Sequence, residues 1–367
     1  MIRDLAIQNF RLFGRFDIHS LARVNLIVGT NNSGKSSLLE AIHLLTSDDV
    51  RSSLTYILSE RGEFVSGSLD PRSDRARSGG YQVSQVFHDR TLAAGMKAVI
   101  RSFGDRDAML RITLQDDKSQ RREPDQPSMF TSEEGSTEGR VEWMVFERNG
   151  YDGEGVRLRI TEDGLLIDRP VNVRRVLHPK GRSRFMTTNY MGFDELAALW
   201  DKITLTPKEE KVIESLRILE PAVERISFTS SQTSNSGILL KLRQEEGPVP
   251  LGSMGDGMRR ILAVSASLVS VDNGTLLVDE IDTGLYHKVI ADMWRLVIET
   301  ADKQDAQVFA TTHSWDCVKA FRSALVDSSN PQAGCLVRLE RSGDHVKAVR
   351  YSVDDLDVAV EEGIEVR

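Results

Sequence analysis

The chain has little cysteine and no long apolar run, and each shortage excludes a class of protein. Its two cysteines, Cys317 and Cys335, lack the spacing of a metal site or a redox pair, so both are expected to be ordinary thiols of a reducing compartment. No apolar run is long enough to cross a membrane, and the charged, amphipathic start resembles neither a signal peptide nor an anchor. We therefore expect a soluble, cytoplasmic protein.

The composition also lacks an excess of positive charge. Lys and Arg number 47 against 55 Asp and Glu, which leaves a formal net charge of −8. This balance argues against a surface that coats nucleic acid generally. The sequence has one local basic patch, but no aromatic residues for base stacking lie among its charges. We therefore interpret it as a solvated loop rather than a nucleic-acid contact. That patch comprises Arg174, Arg175, Lys180, Arg182 and Arg184.

A phosphate-binding pattern is present near the start of the chain. Residues 29–36 read GTNNSGKS, a full match to G-x-x-x-x-G-K-[ST], between an apolar run that predicts a strand and a segment with helical apolar spacing. Glycines allow a tight backbone path, while loop N–H groups and the helix N-terminus meet phosphate charge. The pattern predicts that ATP and Mg²⁺ are bound, with Lys35 on the β- and γ-phosphates and Ser36 on the metal. The candidate phosphate-binding residues are Gly29, Asn31, Asn32, Ser33, Gly34, Lys35, Ser36 and Ser37.

Two stretches compete to supply the acidic strand that accompanies such a loop. Residues 275–280 read TLLVDE, a buried-strand pattern that ends in Asp279, placed to hold Mg²⁺ through water, and Glu280, placed to polarise the attacking water. The rival, residues 164–168, lies in a stretch that alternates polar and apolar residues around Asp163-Gly164. That alternation predicts a solvated β-hairpin instead.

Three further segments favour an ABC-type ATPase. PLGSMGDGMRRIL contains Ser253 and Gly255 just before a predicted helix; in the ABC class such a turn clasps the γ-phosphate of ATP bound to the other subunit. The loop after the acidic strand contains Asp282, and His313 ends a later apolar strand, where a neutral imidazole can contact the γ-phosphate. Each segment is weak alone, since a lone His is usually structural. Their order along the chain follows the ABC order.

These segments resemble ATPases of the OLD (overcoming-lysogenization-defect) type, within the SMC and RecF superclass of ABC heads. IRDLAIQNFRLFGRFDI resembles the first hairpin of such heads, LLVDEIDTGLYH their Walker B segment and ATTHSWDCVKAF their His switch. The likeness is strongest to the group without a fused nuclease, which includes the ATPase subunit of the PARIS anti-phage system. The signature turn departs from the family, since it reads SMGDG rather than LSGGQ. No clear motif marks the Q-loop; Gln85 is the first candidate for its nucleotide and metal contact, and Gln82 the second.

The resemblance implies an α/β ABC-type head of two lobes. We expect an N-terminal lobe of mixed β-sheet with the P-loop over residues 1–190, a short helical insert over 191–226 and an α/β C-terminal lobe over 227–367. The insert is expected to hold two helices, the second beginning after Thr206 with Pro207 at its first position. The polar stretches 72–80 and 116–140 are expected to be surface loops.

The resemblance also implies partners. It predicts an ATP-dependent homodimer or higher oligomer with Glu280, His313 and Lys35 as catalytic residues, and a separately encoded Toprim-like nuclease that the ATPase controls in defence. The segment after His313 is too short for a fused Toprim domain, and the pair Asp355 and Asp357 reads as an acidic helix start. We therefore expect no nuclease activity in this chain. The alternatives are a RecF-like DNA-repair ATPase and an ATP-switched scaffold with incidental hydrolysis.

Overall fold

A computed structural model describes residues 1–65, 80–116, 141–149, 155–161, 164–165, 182–189, 191–229 and 237–366. Its strands, numbered in chain order, are β1 Ile2–Phe10, β2 Phe13–Ile18, β3 Val24–Gly29, β4 Phe64–Val65, β5 Gly80–Tyr81, β6 Lys97–Gly104, β7 Ala108–Asp116, β8 Val141–Arg148, β9 Val156–Thr161, β10 Gly164–Leu165, β11 Ser183–Met186, β12 Val223–Thr229, β13 Gly237–Leu242, β14 Val249–Pro250, β15 Thr275–Val278, β16 Gln307–Thr311, β17 Gly334–Ser342 and β18 His345–Tyr351.

The α-helices are α1 Lys35–Thr46, α2 Val50–Glu60, α3 Phe193–Ile203, α4 Pro207–Leu216, α5 Asp256–Ser270, α6 His287–Lys303, α7 Trp315–Val326 and α8 Val353–Glu361. Within the described ranges, none of these helices has the length and apolar character needed to cross a membrane. Most of both expected surface loops lies outside the described residues, as do Arg174, Arg175 and Lys180 of the basic patch.

A six-stranded sheet forms the centre of the described structure. Its order is β11-β15-β16-β3-β17-β18, and all neighbours are parallel except the last pair. Strands β3, β15 and β16 are buried along their whole length. Continuous apolar runs of this kind are typical of parallel strands that are covered on both faces.

The two faces of this sheet contribute to different hydrophobic cores. Along β3, Leu26 faces a core that includes residues of helices α3 to α8, whereas Ile27 faces a core shared with α1 and α2. Strand β15 divides in the same way, with Leu276 in the first core and Leu277 in the second. The alternation follows from the two-residue period of a strand. The six-stranded sheet therefore separates the two cores.

A nine-stranded antiparallel sheet lies beside the P-loop helix, in the order β2-β1-β6-β7-β8-β9-β10-β5-β4. Thr161 pairs with Gly164 across the antiparallel strands β9 and β10. The rival acidic segment therefore begins in a hairpin of this sheet, as the sequence predicts, although Asp163 and Asp168 lie outside the described residues.

The two helices expected around Thr206 are confirmed as α3 and α4. The Thr206 hydroxyl accepts a hydrogen bond from the backbone N–H of Lys208 at 3.2 Å, and Pro207 is the first helical residue. The helical segment ends earlier than expected, however, because residues 223–226 begin β12. Val223 pairs with Leu242 across β12 and β13, and a register shift between Val223 and Arg225 leaves the buried residues Val223 and Ile226 three positions apart.

Candidate nucleotide-binding site

The candidate site lies where three neighbouring parallel strands end. The P-loop follows β3, Asp279 and Glu280 follow β15, and His313 follows β16 shortly after its end. Because β15, β16 and β3 are adjacent in that order, their carboxyl ends meet, and this edge is where open α/β sheets bind ligands. A cavity of about 260 Å³ opens there. It is lined by Leu12, Asn32, Ser33, Gly34, Lys35, Ser36, Ser37, Arg61, Asp279, Glu280 and His313.

The backbone of the P-loop requires its two glycines. Gly29 has φ of 146° and Gly34 has φ of 104°, in the region that L side chains rarely adopt. A Cβ atom at Gly29 would lie 2.6 Å from the carbonyl oxygen of Leu339, and one at Gly34 would lie 3.1 Å from the Phe13 ring. Helix α1 begins directly after Gly34, so its positive end and its free N–H groups border the cavity. This is the anion-binding geometry that the motif predicts.

Lys35 is held against the loop that it serves. Its Nζ donates hydrogen bonds to the carbonyl oxygens of Gly29 at 2.8 Å and Thr30 at 3.0 Å. Burial lowers the pKa of Lys35, while the Asp279 and Glu280 carboxylates oppose that shift. A phosphate group that enters the cavity can replace these carbonyl oxygens as the partner of the ammonium group, with a full negative charge in their place.

Ser36 and Asp279 form the pair that fits a magnesium ion. Ser36 Oγ donates to Asp279 Oδ2 at 2.7 Å, although the residues are 243 positions apart. Asp279 is nearly buried, and its other oxygen accepts from the Thr311 hydroxyl at 2.5 Å. A hydroxyl and a carboxylate are hard oxygen ligands of the kind that Mg²⁺ uses together with phosphate oxygens. The donor set therefore fits the metal.

Glu280 is held in a strained conformation beside this pair. Its φ is 48°, which is unfavourable for a residue with a side chain. Its backbone N–H donates to the Thr311 hydroxyl at 2.8 Å, and its Oε2 accepts from Thr283 Oγ1 at 3.3 Å. His313 Nε2 lies 3.8 Å from Oε1. Both of these side chains are 41% exposed and face the cavity, so they can reach a ligand there.

Asp282 lies behind the cavity rather than in its lining. Its Oδ1 accepts a hydrogen bond from Thr312 Oγ1 at 2.7 Å, and the same hydroxyl accepts from the backbone N–H of Ser314 at 2.9 Å. Asp282 therefore links the loop after β15 to the strand end that carries His313. Its contact with nucleotide stays a prediction.

Besides Gly29, four further predicted residues lie outside the lining of this chain's cavity. Ser253 is exposed in a 3₁₀ turn, and its hydroxyl donates to the Pro250 carbonyl at 2.7 Å; Gly255 follows with φ of 88° and caps α5. Gln85 lies in the turn Val83–Val86, where its backbone carbonyl accepts from Arg11 Nη1 at 3.1 Å. Asn31 lies in the P-loop itself. The ligand contacts predicted for these four stay predictions.

Sequence reasoning missed Leu12 and Arg61 in the lining. Arg61 follows α2, reaches Ser37 Oγ at 3.4 Å and donates from Nε to the Glu40 carboxylate. Glu40 also forms an ion pair with Arg11 at 3.0 Å. Burial raises the pKa of Glu40, whereas the two arginines lower it. No sequence motif marks Leu12 or Arg61, since an arginine that follows an amphipathic helix is indistinguishable in sequence from an ordinary surface residue.

The model of the AAA_21 family, described as "AAA domain, putative AbiEii toxin, Type IV TA system", matches residues 24–316. A protein named ATP/GTP phosphatase from Helicobacter pylori is 21% identical over 386 residues, which cover 97% of each chain.

Two solved structures resemble the whole chain. One is an Smc head bound to the C-winged helix domain of ScpA, 15% identical, with a TM-score of 0.51 and coverage of 98% of this chain and 99% of that chain. The other is an Smc head with an extended coiled coil bound to the C-terminal domain of ScpA derived from Pyrococcus furiosus. It is 12% identical, with a TM-score of 0.51 and 99% coverage of both chains. The fold is that of an ABC-type P-loop ATPase head, which confirms the predicted fold class.

Proposed function

The chain belongs to the AAA_21 family of AAA domains, and from this premise we propose that it hydrolyses Mg²⁺-ATP at sites shared between two copies of the chain. One observation carries the proposal. The Ser36 hydroxyl lies 2.7 Å from the Asp279 carboxylate, beside Glu280 and His313 in one cavity at the P-loop. The residues that would bind phosphate, the metal ion and water therefore lie together at one edge of the sheet.

Each residue of the cavity has a role in this reaction. The Lys35 ammonium group would turn from its loop carbonyls to the β- and γ-phosphates. Ser36 and Asp279 would hold Mg²⁺, which would supply positive charge to the phosphate oxygens. Glu280 accepts a hydrogen bond from the attacking water and orients it towards phosphorus. His313, 3.8 Å from Glu280 Oε1, could donate to a γ-phosphate oxygen or exchange a hydrogen bond with that water. Binding and hydrolysis therefore depend on different side chains.

Ser253 and Gly255 supply the argument for two copies. They lie outside the lining of their own chain's cavity, exposed at the N-terminus of α5, a helix of 15 residues. A helix N-terminus of that length attracts anions, and its exposed turn is available to the γ-phosphate held by a second copy. The dimer that results closes two equivalent sites around two nucleotides.

The output of the ATPase is the finer part of the proposal. The motif resemblance to OLD-type ATPases without a fused nuclease favours a cytoplasmic sensor that controls a separate Toprim-like nuclease in defence against phage or foreign DNA. We place the contact with that effector on the helical region 193–226 or on the segment after Arg338, since a second copy would occupy the nucleotide face. The alternative is a RecF-like repair ATPase, which DNA alone would stimulate.

The test compares two variants that separate binding from chemistry. Glu280→Gln removes the carboxylate that orients water but keeps Lys35, Ser36 and Asp279, so we expect ATP to be retained, a stable dimer and at least 10-fold slower phosphate release. Lys35→Ala should lose nucleotide binding and should not dimerise with itself, although the ATP of an intact P-loop can still join it to a second chain. Nucleotide retention, phosphate release and sedimentation are measured for both. Wild-type hydrolysis by Glu280→Gln would overturn the assignment of the base, and turnover by a strictly monomeric wild type would overturn the shared site.

A further inference from the structure

Arg260 is a buried cation directly behind the acidic residues of the site. It lies in the second turn of α5 and is 2% exposed. Its Nη2 donates to the carbonyl oxygens of Asp279 at 2.7 Å and Glu280 at 2.8 Å, and its Nε to that of Ile281 at 3.4 Å. Its Nη1 lies 3.5 Å from the Thr187 carbonyl. One guanidinium group thus joins the segments that follow two neighbouring strands, β15 and β11.

These bonds fix the backbone exactly where Glu280 departs from ordinary geometry. The strained φ of 48° turns the chain between Asp279 and Ile281, and such a conformation persists only where surrounding contacts determine it. Thr311 holds the N–H of Glu280 from one side, while Arg260 holds its carbonyl from the other. The direction of the Glu280 side chain follows from this backbone, so Arg260 controls where its carboxylate points.

Helix α5 begins at the turn that we propose contacts the ATP bound by the second copy. Gly255 caps α5, only about one and a half helical turns before Arg260. Gly257 brings the first turn of α5 against the loop after β15, because a Cβ atom there would lie 3.0 Å from the Gly284 carbonyl oxygen. Helix α5 is therefore packed against its own acidic loop by a buried arginine and by a close glycine contact.

We propose that Arg260 is a positioning residue that orients Glu280 of its own chain, although it lies on the helix that serves the partner's nucleotide. The inference rests on the shared-site function proposed above and adds a residue to it. Helix α5 then serves two sites: its exposed N-terminal turn acts on the partner's ATP, and Arg260 acts on the water-orienting carboxylate of its own chain.

The first measurement separates positioning from binding. Arg260→Met removes the five N–H donors at similar side-chain length, so we expect kcat to fall at least 10-fold while ATP affinity and ATP-dependent dimerisation change less than about 3-fold. Arg260→Lys should recover part of kcat, since one ammonium group can reach some of the carbonyls. Arg184→Met is the matched control, because Arg184 Nε binds Ser270 Oγ at the far end of the same helix. We expect it to retain turnover within about 2-fold.

Mixed dimers then show which site Arg260 serves. Lys35→Ala mixed with Ser253→Arg is the reference, because only one site of that heterodimer has both an intact P-loop and an intact signature turn. Arg260→Met mixed with Ser253→Arg should match the reference, since the complete site uses the acidic loop of the Ser253→Arg chain. Arg260→Met mixed with Lys35→Ala should stay inactive, since its one complete site uses the acidic loop that lacks Arg260.

Each other outcome has a defined meaning. The reverse pattern would show that Arg260 supports the signature turn and would overturn the proposal. Wild-type turnover by Arg260→Met would overturn it as well. Failure of both Arg260→Met mixtures, or a thermal unfolding midpoint lowered in step with activity across the Met and Lys variants, would show a purely structural role. An inactive reference mixture refutes the shared site itself, which distinguishes that failure from failure of the Arg260 assignment.

Discussion

A single hydroxyl connects the two acidic residues of the site. Thr311 Oγ1 donates to Asp279 Oδ1 at 2.5 Å and accepts from the backbone N–H of Glu280 at 2.8 Å. Thr311 is fully buried at the end of β16, so water cannot replace these bonds. The carboxylate proposed to bind Mg²⁺ and the strained turn at Glu280 therefore have a common anchor on the neighbouring strand.

Replacing this hydroxyl should impair both functions at once. Thr311→Val keeps the volume but leaves one buried carboxylate oxygen and one N–H without this partner, which should lower the free energy of unfolding by about 1–3 kcal/mol. We also expect slower phosphate release and a higher Mg²⁺ concentration for half-maximal turnover, because both acidic side chains lose their orientation. Thr311→Ser keeps the hydroxyl and is the control. Equal turnover in the Val and Ser variants, measured over a Mg²⁺ titration, would contradict this role.

Helix α3 lines a small cavity through a half-buried carboxyl group. Glu195 lies in its first turn, near Arg184 and the buried residues His43 and Tyr56. Burial raises the pKa of Glu195 to about 7; Arg184 opposes the rise and Glu60 adds to it. The folded protein therefore holds a proton on Glu195 at pH values where the unfolded chain has lost it.

The sign of the pH effect follows from this difference in proton binding. The stabilising contribution is complete below the unfolded pKa and is lost as the pH rises through about 7, since the folded state must then bury a charge. Glu195→Gln cannot ionise. Its thermal unfolding midpoint should therefore rise relative to that of the wild type between pH 5 and pH 8, by on the order of 1–3 °C. Scanning calorimetry of both proteins across that range is the test. A constant difference between the two midpoints would refute the raised pKa.

The local elements of the site were predictable from sequence, whereas their mutual contacts were not. Gly29 and Gly34 are required by backbone angles within one loop, and the apolar run before Asp279 indicates a buried strand without further information. Thr311 and Arg61 act through neighbours distant in sequence. Only the order β15-β16-β3 brings Thr311 beside Asp279, and only the position of α2 brings Arg61 to the cavity. Pairing with β13 likewise decides that residues 223–226 are strand.

The whole molecule separates its surfaces by function. The cavity and the exposed Ser253 turn belong to the nucleotide face, which a second copy covers in the proposed dimer. The two Asp residues of the C-terminal helix already have partners: Asp355 caps the helix through Ser352, and Asp357 pairs with Arg322. These contacts give both carboxylates partners within the fold, and the proposed function accordingly assigns nuclease chemistry to another chain.

The last prediction concerns that other chain. Glu280→Gln should hold ATP and remain dimeric, so tagged Glu280→Gln expressed in its native host with ATP and Mg²⁺ should retain a small Toprim-like protein. Lys35→Ala is the matched control, because it differs at the same site but cannot bind the nucleotide that builds the dimer. We expect the partner to be identified by mass spectrometry at several-fold higher yield with Glu280→Gln. Recovery of recombination-mediator proteins with no nuclease-like partner, together with turnover stimulated by DNA alone, would instead favour the RecF-like repair function.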